Sequence, residues 1–170
     1  MAHPVVLPHP DLPGSVVNCA VITVSDTRTP ETDRSGQMAQ QLLQAAGHSI
    51  GWYALVKDEP TQIREQLVDL SQRSNLDAFI FNGGTGIASR DTTYDAIAAL
   101  LDKQLPGFGE LFRWLSYQEI GSRAMASRAI AGVYRNKLIF SLPGSTHAVR
   151  LAIEKLILPE LAHLVDQLRL

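Results

Sequence analysis

The sequence predicts an α/β domain, a three-layer sandwich in which helices cover both faces of a mostly parallel sheet. From Val16 onward, short apolar runs alternate with segments whose apolar residues recur every three or four positions, and most runs end in Gly, Pro, Asn or Asp. With 170 residues, 45% hydrophobic and 19% charged, the chain has core material for one domain, set at 16–170. The residues before it, 1–15, include Pro4, Pro8, Pro10 and Pro13 and read as an extended, flexible arm.

Val16 to Val24 is predicted as a buried strand that ends in the polar loop Ser25, Asp26, Thr27, Arg28. A helix follows, with Met38, Leu42 and Ala45 as its core stripe, Asp33 or Ser35 as its cap and Gly47 just past its end. Ser49 to Val56 forms the next strand, and Pro60 or Thr61 opens a helix with the stripe Ile63, Leu67 and Leu70. Asp77 to Phe81 is a strand broken by Asn82, Gly83 and Gly84, after which Thr92 or Thr93 starts a helix through Leu101. Phe108, Leu111, Phe112 and Leu115 mark another amphipathic helix, while Trp52, Trp114 and Tyr117 read as core or interface residues. Ala129 to Tyr134 and Lys137 to Leu142 are strands of a hairpin turning at Arg135 and Asn136. Pro143, Gly144 and Ser145 then break to a helix carrying Ala148, Leu151, Ala152 and Leu156, which Pro159 interrupts before a final helical piece.

A net charge of −2 argues against nucleic acid or a membrane surface as partner, and no apolar run approaches the ~18 residues of a membrane span. The single cysteine, Cys19, excludes an internal disulfide and a Cys-based zinc cage; it suits a reducing cytoplasm and reads as a core residue. The five histidines show no metal-ligand spacing, and only His147, beside Ser145, is near a candidate loop. A charged fraction below the usual quarter points to surface covered by other copies, hence a homo-oligomer.

In a sheet of this kind ligands gather beyond the carboxyl ends of the strands, where Asp26, Asp58, Gly83 to Gly86 and Ser145 are all expected to emerge. The run Asn82-Gly83-Gly84-Thr85-Gly86 lets a ligand approach the backbone and suits a phosphate, although a tight turn needs the same residues. No Gly-Lys-Ser/Thr follows it, and Ser89 stands where a dinucleotide fingerprint needs its third glycine. Asp91 and Asp95, four apart, are expected on one face of the following helix, as caps or as ligands. An acid on the Asp58 loop and another on the Asp91 helix, flanking a phosphate cradle, are what Mg²⁺ requires when phosphate oxygens complete its shell, which implies phosphoryl or nucleotidyl transfer. Ser25 and Asp26 fit a polar heterocycle, and Ser145 serves as a helix cap, an anion ligand or both.

Taken together, Thr23-Val24-Ser25-Asp26-Thr27-Arg28, Asn82-Gly83-Gly84-Thr85-Gly86, Arg90-Asp91-Thr92-Thr93-Tyr94-Asp95, Pro106-Gly107-Phe108-Gly109-Glu110 and Leu142-Pro143-Gly144-Ser145-Thr146 resemble the MoaB/MogA family of molybdenum cofactor biosynthesis proteins. The stretch from Glu110-Leu111-Phe112-Arg113 to Glu119-Ile120-Gly121 looks like its MoaB branch. The resemblance implies the molybdopterin-binding fold, a homotrimer or hexamer, and ATP and molybdopterin as substrates. It further implies AMP transfer from Mg-ATP to the terminal phosphate of molybdopterin, before molybdate insertion by a separate protein of the pathway. Asp58 and Asp91 would then be the catalytic pair that holds Mg²⁺. Gly83, Gly84, Thr85 and Gly86 would receive phosphate, with Ser25, Asp26, Asp95 and Ser145 also on substrate. Lys57 and Tyr94 stand where the catalytic branch usually has proline. A noncatalytic molybdopterin carrier or scaffold of the same pathway is the alternative reading.

Overall fold

The computed structural model describes residues 14–170, so all but the last two residues of the expected arm lie outside it. Six strands form one sheet in the order β2-β1-β3-β6-β5-β4. They are β1 (Asn18–Val24), β2 (Ser49–Val56), β3 (Ala78–Asn82), β4 (Lys103–Gln104), β5 (Ile130–Tyr134) and β6 (Lys137–Leu142). The central strands β2, β1, β3 and β6 run parallel, and β5 alone opposes them, pairing antiparallel with both β6 and β4. The chain leaves β1 to one side for β2 and crosses back to β3 on the other, which makes the carboxyl ends of β1 and β3 the topological switch point.

The period-2 alternation of the strands divides the core into two layers. Val17, Cys19 and Val21, with Ile80 and Phe140, pack beneath α1 (Arg34–Ala45), α4 (Pro106–Ile120), α5 (Thr146–Ala152) and α6 (Leu158–Leu168). Ala20, Ile22 and Val24, with Phe79, Phe81 and Ile139, pack beneath α2 (Pro60–Ser71) and α3 (Thr93–Ala98). Ile63, Leu67 and Leu70 of α2 are buried as the spacing requires, each stabilising by about 1.5–3 kcal/mol relative to exposure. Asp33 is the cap of α1, accepting from the Gly36 amide at 3.0 Å, and Gly47 follows at φ +90°.

Several expectations move. The buried stripe of α1 is Ala39 and Leu43, one position round from the expected Met38, Leu42 and Ala45, because Ser35 and Gly36 face inward and rotate the helix. Leu111 of α4 is exposed and Ser116 buried, so that helix turns Leu111, Trp114 and Tyr117 outward, and the last two belong to no core. The first strand begins at Asn18, leaving Val16 exposed; β3 runs from Ala78 rather than Asp77, and α3 ends at Ala98 rather than Leu101. The short edge strand β4 then takes up residues beyond that helix. Arg135 and Asn136 have φ of +48° and +59°, the two left-handed residues of a tight hairpin; the Arg135 amide donates to the Asp102 carboxylate at 2.7 Å. The final helical piece does begin beside Pro159, at Leu158, but the helical path into it is not interrupted. A π turn at Ile153–Ile157 links α5 to α6 and accommodates the proline in the first turn of α6, where its missing N–H matters least.

Candidate functional site

Four parallel strands deliver their loops to the same end of the sheet, at Ser25, Lys57, Gly83 and Pro143. Backbone bonds knit the loops together: the Ser25 amide donates to the Val56 carbonyl at 2.9 Å, and the Gly83 amide to the Leu142 carbonyl at 2.9 Å. Gly83 has φ +117°, and a β-carbon there would overlap the Val24 carbonyl oxygen, so only glycine lets this loop lie across the end of β1.

The β1 side of the crevice is fastened from below by a buried network. Arg28 donates to Asp33, Ser35 and, at 2.8 Å, to the Gly144 carbonyl. Ser35 donates to the Asn82 side-chain oxygen at 2.7 Å, the Asn82 amide donates to Thr23 Oγ1 at 2.9 Å, and Tyr53 donates to Asp33 at 2.7 Å. Burial and the Asp33 carboxylate together push the Tyr53 phenol well above its ordinary range. Ser25 Oγ accepts from the Thr27 and Arg28 amides, shaping the loop locally, and Ser145 Oγ caps α5 by accepting from the Ala148 amide at 3.1 Å. Both are thus structural caps at the edge of the crevice. His147 pairs with Glu119 of α4 instead of turning to the loop.

Asp26 joins two further loops, accepting from the Asp58 amide at 3.1 Å and pairing with Arg90 at 3.2 Å. The hydrogen bonds of the Asp58 carboxylate fall on Oδ1, which accepts from the Thr92 amide at 3.1 Å, Thr92 Oγ1 at 2.7 Å and Thr93 Oγ1 at 3.5 Å. Its Oδ2 faces Gly84, where a β-carbon would stand 2.5 Å away. At Gly86 the corresponding neighbour is Asp91, with Oδ2 at 2.7 Å from such a carbon. The fold therefore brings both acids against one glycine run, with Asp91 next in chain to the residue Asp58 holds.

Asp91 precedes α3, so the helical face expected to carry Asp91 and Asp95 together does not exist; Asp91 instead closes a loop by accepting from the Ala88 amide at 3.2 Å. Asp95, in the first turn of α3, is gripped through both oxygens at 3.1 Å by Arg128. Sequence reasoning missed Arg128: it stands alone before β5, its partners lie 33 to 43 residues away, and no local pattern marks it. Arg28, by contrast, was visible as a member of the first motif. Asp91, Thr92, Asp95 and Arg128 line a cavity of about 400 Å³ with Arg64 and Pro60 of α2. Asp58 lies behind Thr92, outside that lining. Among the described residues no three His, Cys, Asp or Glu side chains gather as a metal cage. The donors present are hard carboxylate oxygens packed against a glycine run, a set that fits Mg²⁺ when phosphate oxygens supply the remaining ligands.

Comparison with known proteins agrees with this fold. The family described as a probable molybdopterin binding domain matches residues 20–163. The chain is 54% identical over 153 residues to molybdenum cofactor biosynthesis protein B of Halalkalibacterium halodurans, covering 89% of this chain and 90% of that protein. A crystal structure of molybdenum cofactor biosynthesis protein B superposes with a TM-score of 0.90 at 51% identity, covering 92% of this chain and 98% of that one. The tungsten cofactor synthesizing protein MoaB from Pyrococcus furiosus superposes with a TM-score of 0.82 at 34% identity, over 91% of this chain and 98% of that one. Among the described residues no helix is long and apolar enough to cross a membrane. With the domain match spanning most of its length and relatives above 50% identity, this chain belongs to the MoaB/MogA family of molybdenum cofactor biosynthesis proteins.

Proposed function

We propose that the protein transfers AMP from Mg-ATP to the terminal phosphate of molybdopterin. An oxygen of that phosphate attacks the α-phosphorus of ATP, the new P–O bond forms as the bond to the β-phosphate bridging oxygen breaks, and pyrophosphate leaves. The observation that carries the reading is the placement of Asp58 and Asp91 against Gly84 and Gly86 of one loop. Mg²⁺, when bound, neutralises charge on the polyphosphate. Thr92 and Thr93 occupy Oδ1 of Asp58 and so fix the direction of Oδ2 toward the loop. Gly83 to Gly86, bare of larger side chains except at Thr85, allow phosphate close to backbone amides. The nucleophile is an anion at neutral pH, so positioning and charge neutralisation suffice and no general base is required.

Ser25, Asp26 and Ser145 edge the crevice on the side assigned to the pterin and its phosphate. The exposed face of α4, with Leu111 53%, Trp114 59% and Tyr117 59% accessible, supports a homotrimer or hexamer. Purified protein given ATP, Mg²⁺ and molybdopterin is expected to release pyrophosphate. Asp58→Asn and Asp91→Asn should each slow turnover by about 10²–10³-fold, with melting temperature and circular dichroism unchanged. Molybdopterin binding without pyrophosphate release in the wild type would instead identify a carrier.

A further inference from the structure

Every nitrogen of the Arg128 guanidinium is spent on the glycine loop and the start of α3. Nε donates to the carbonyls of Gly86 at 3.1 Å and Thr85 at 3.3 Å, and one terminal nitrogen to those of Gly86 at 2.7 Å and Asp91 at 3.2 Å. The other terminal nitrogen takes both oxygens of Asp95 at 3.1 Å. The guanidinium carbon lies 4.8 Å from the centre of the Tyr94 ring, so the planar group rests on an aromatic face while its edge binds.

A trans peptide is flat, with its N–H pointing opposite to its C=O. Among the described residues every peptide bond is trans. A carbonyl held by Arg128 therefore aims the next residue's amide away from the guanidinium. Holding Thr85 and Gly86 orients the Gly86 and Ile87 amides. Holding Asp91 orients the Thr92 amide, and that amide is the one that donates to Asp58 Oδ1 at 3.1 Å. One side chain thus governs both the glycine run and the anchoring of one of the two acids.

We propose that Arg128 is a positioning residue: by gripping three carbonyls it turns the Gly86 and Ile87 amides toward a phosphate oxygen and the Thr92 amide toward Asp58, with Tyr94 as its platform. The consequence for turnover rests on the adenylyl-transfer reading; the consequence for the loop and for anion binding does not. Lysine cannot replace the arginine, because a point charge does not bridge three separated carbonyls.

The test uses the full chain, with inorganic pyrophosphate plus Mg²⁺ as the probe. In Arg128→Ala, hydrogen exchange at the Thr92 amide, which is bonded to Asp58, should quicken by about tenfold or more while sheet amides keep their protection. Pyrophosphate affinity by calorimetry should fall by about 10–10²-fold, Arg128→Lys should behave similarly, and added guanidinium ion should recover part of the loss. Tyr94→Ala should shift both readouts in the same direction by a smaller factor, and it serves as the decisive variant if Arg128→Ala does not fold. Weaker binding with unchanged exchange would mean that the arginine touches the anion itself and would overturn positioning. Unchanged affinity, or a wild-type protein that does not bind pyrophosphate, would overturn it as well. A wild type that binds pyrophosphate and responds as described, yet transfers no AMP, would remove the adenylyl-transfer reading and leave this one standing.

Discussion

On the β1 side of the crevice Thr23, Asp33, Ser35 and Asn82 are fully buried and bonded to one another, and Arg28 carries the network to the Gly144 carbonyl. On the β3 side the loop from Gly83 to Thr92 lies outside sheet and helix, with Ile87 80% exposed on its rim, and beyond the bond of its first amide to Leu142 its long-range fastening comes from Arg128, Asp58 and the exposed pair of Asp26 with Arg90. The first wall has paid its desolvation and leaves its polar groups no freedom to serve a ligand without losing a partner. The second keeps carboxylates and amides near water, where a ligand can take them over at small cost to the fold. Residues of one wall should therefore report in stability and those of the other in binding.

The largest expected effect is on the buried wall. Asp33→Ala removes the cap of α1, the partner of Tyr53 and an ion-pair partner of Arg28, and should destabilise by about 3–5 kcal/mol, read as a lower urea midpoint. A loss below about 1 kcal/mol would erase the contrast between the walls. A second probe is Cys19, fully buried beneath α1, whose thiol burial pushes from its ordinary 9.0 to about 12, with Asp77 contributing. The native state thus holds this proton more tightly than the unfolded chain. The associated stability is intact below pH 9 and is lost as pH rises from 9 toward about 12. Alkaline unfolding of the wild type should consequently be steeper than that of Cys19→Ala, and coincident profiles would sink the assignment. The smallest effect belongs to the exposed wall: Arg90→Ala should change stability by less than about 0.5 kcal/mol, while hydrogen exchange in the loop quickens. An equal loss of global stability would show that the two walls are not built differently after all.

The strands and helices were legible because their signals are local. Short apolar runs bounded by turn residues gave β1 through β3 and the hairpin, and the three-residue and four-residue spacing in α2 gave its buried face correctly. The misplaced stripes in α1 and α4 have one cause: small residues such as Gly36 and Ser116 pack inward as readily as leucine when a neighbouring element approaches closely, so apolarity alone misjudged the rotation. The acids were legible as residues but not as a geometry. Asp91 was placed on a helix that begins two residues later, and the grip of Arg128 on Asp95 left no local sign.

The order of elements, the glycine run and the identity of its flanking acids follow from the sequence alone, because hydrophobic period and turn chemistry act over a few neighbouring residues. Which carboxylate meets which loop was decided only by the tertiary structure. Parallel crossovers bring Asp26, Asp58 and Thr92 together, and β5 carries Arg128 back to carbonyls more than thirty positions earlier in the chain. A contact of that range depends on strand order and on the orientation of single peptide planes, and neither leaves a mark in the local pattern of residues.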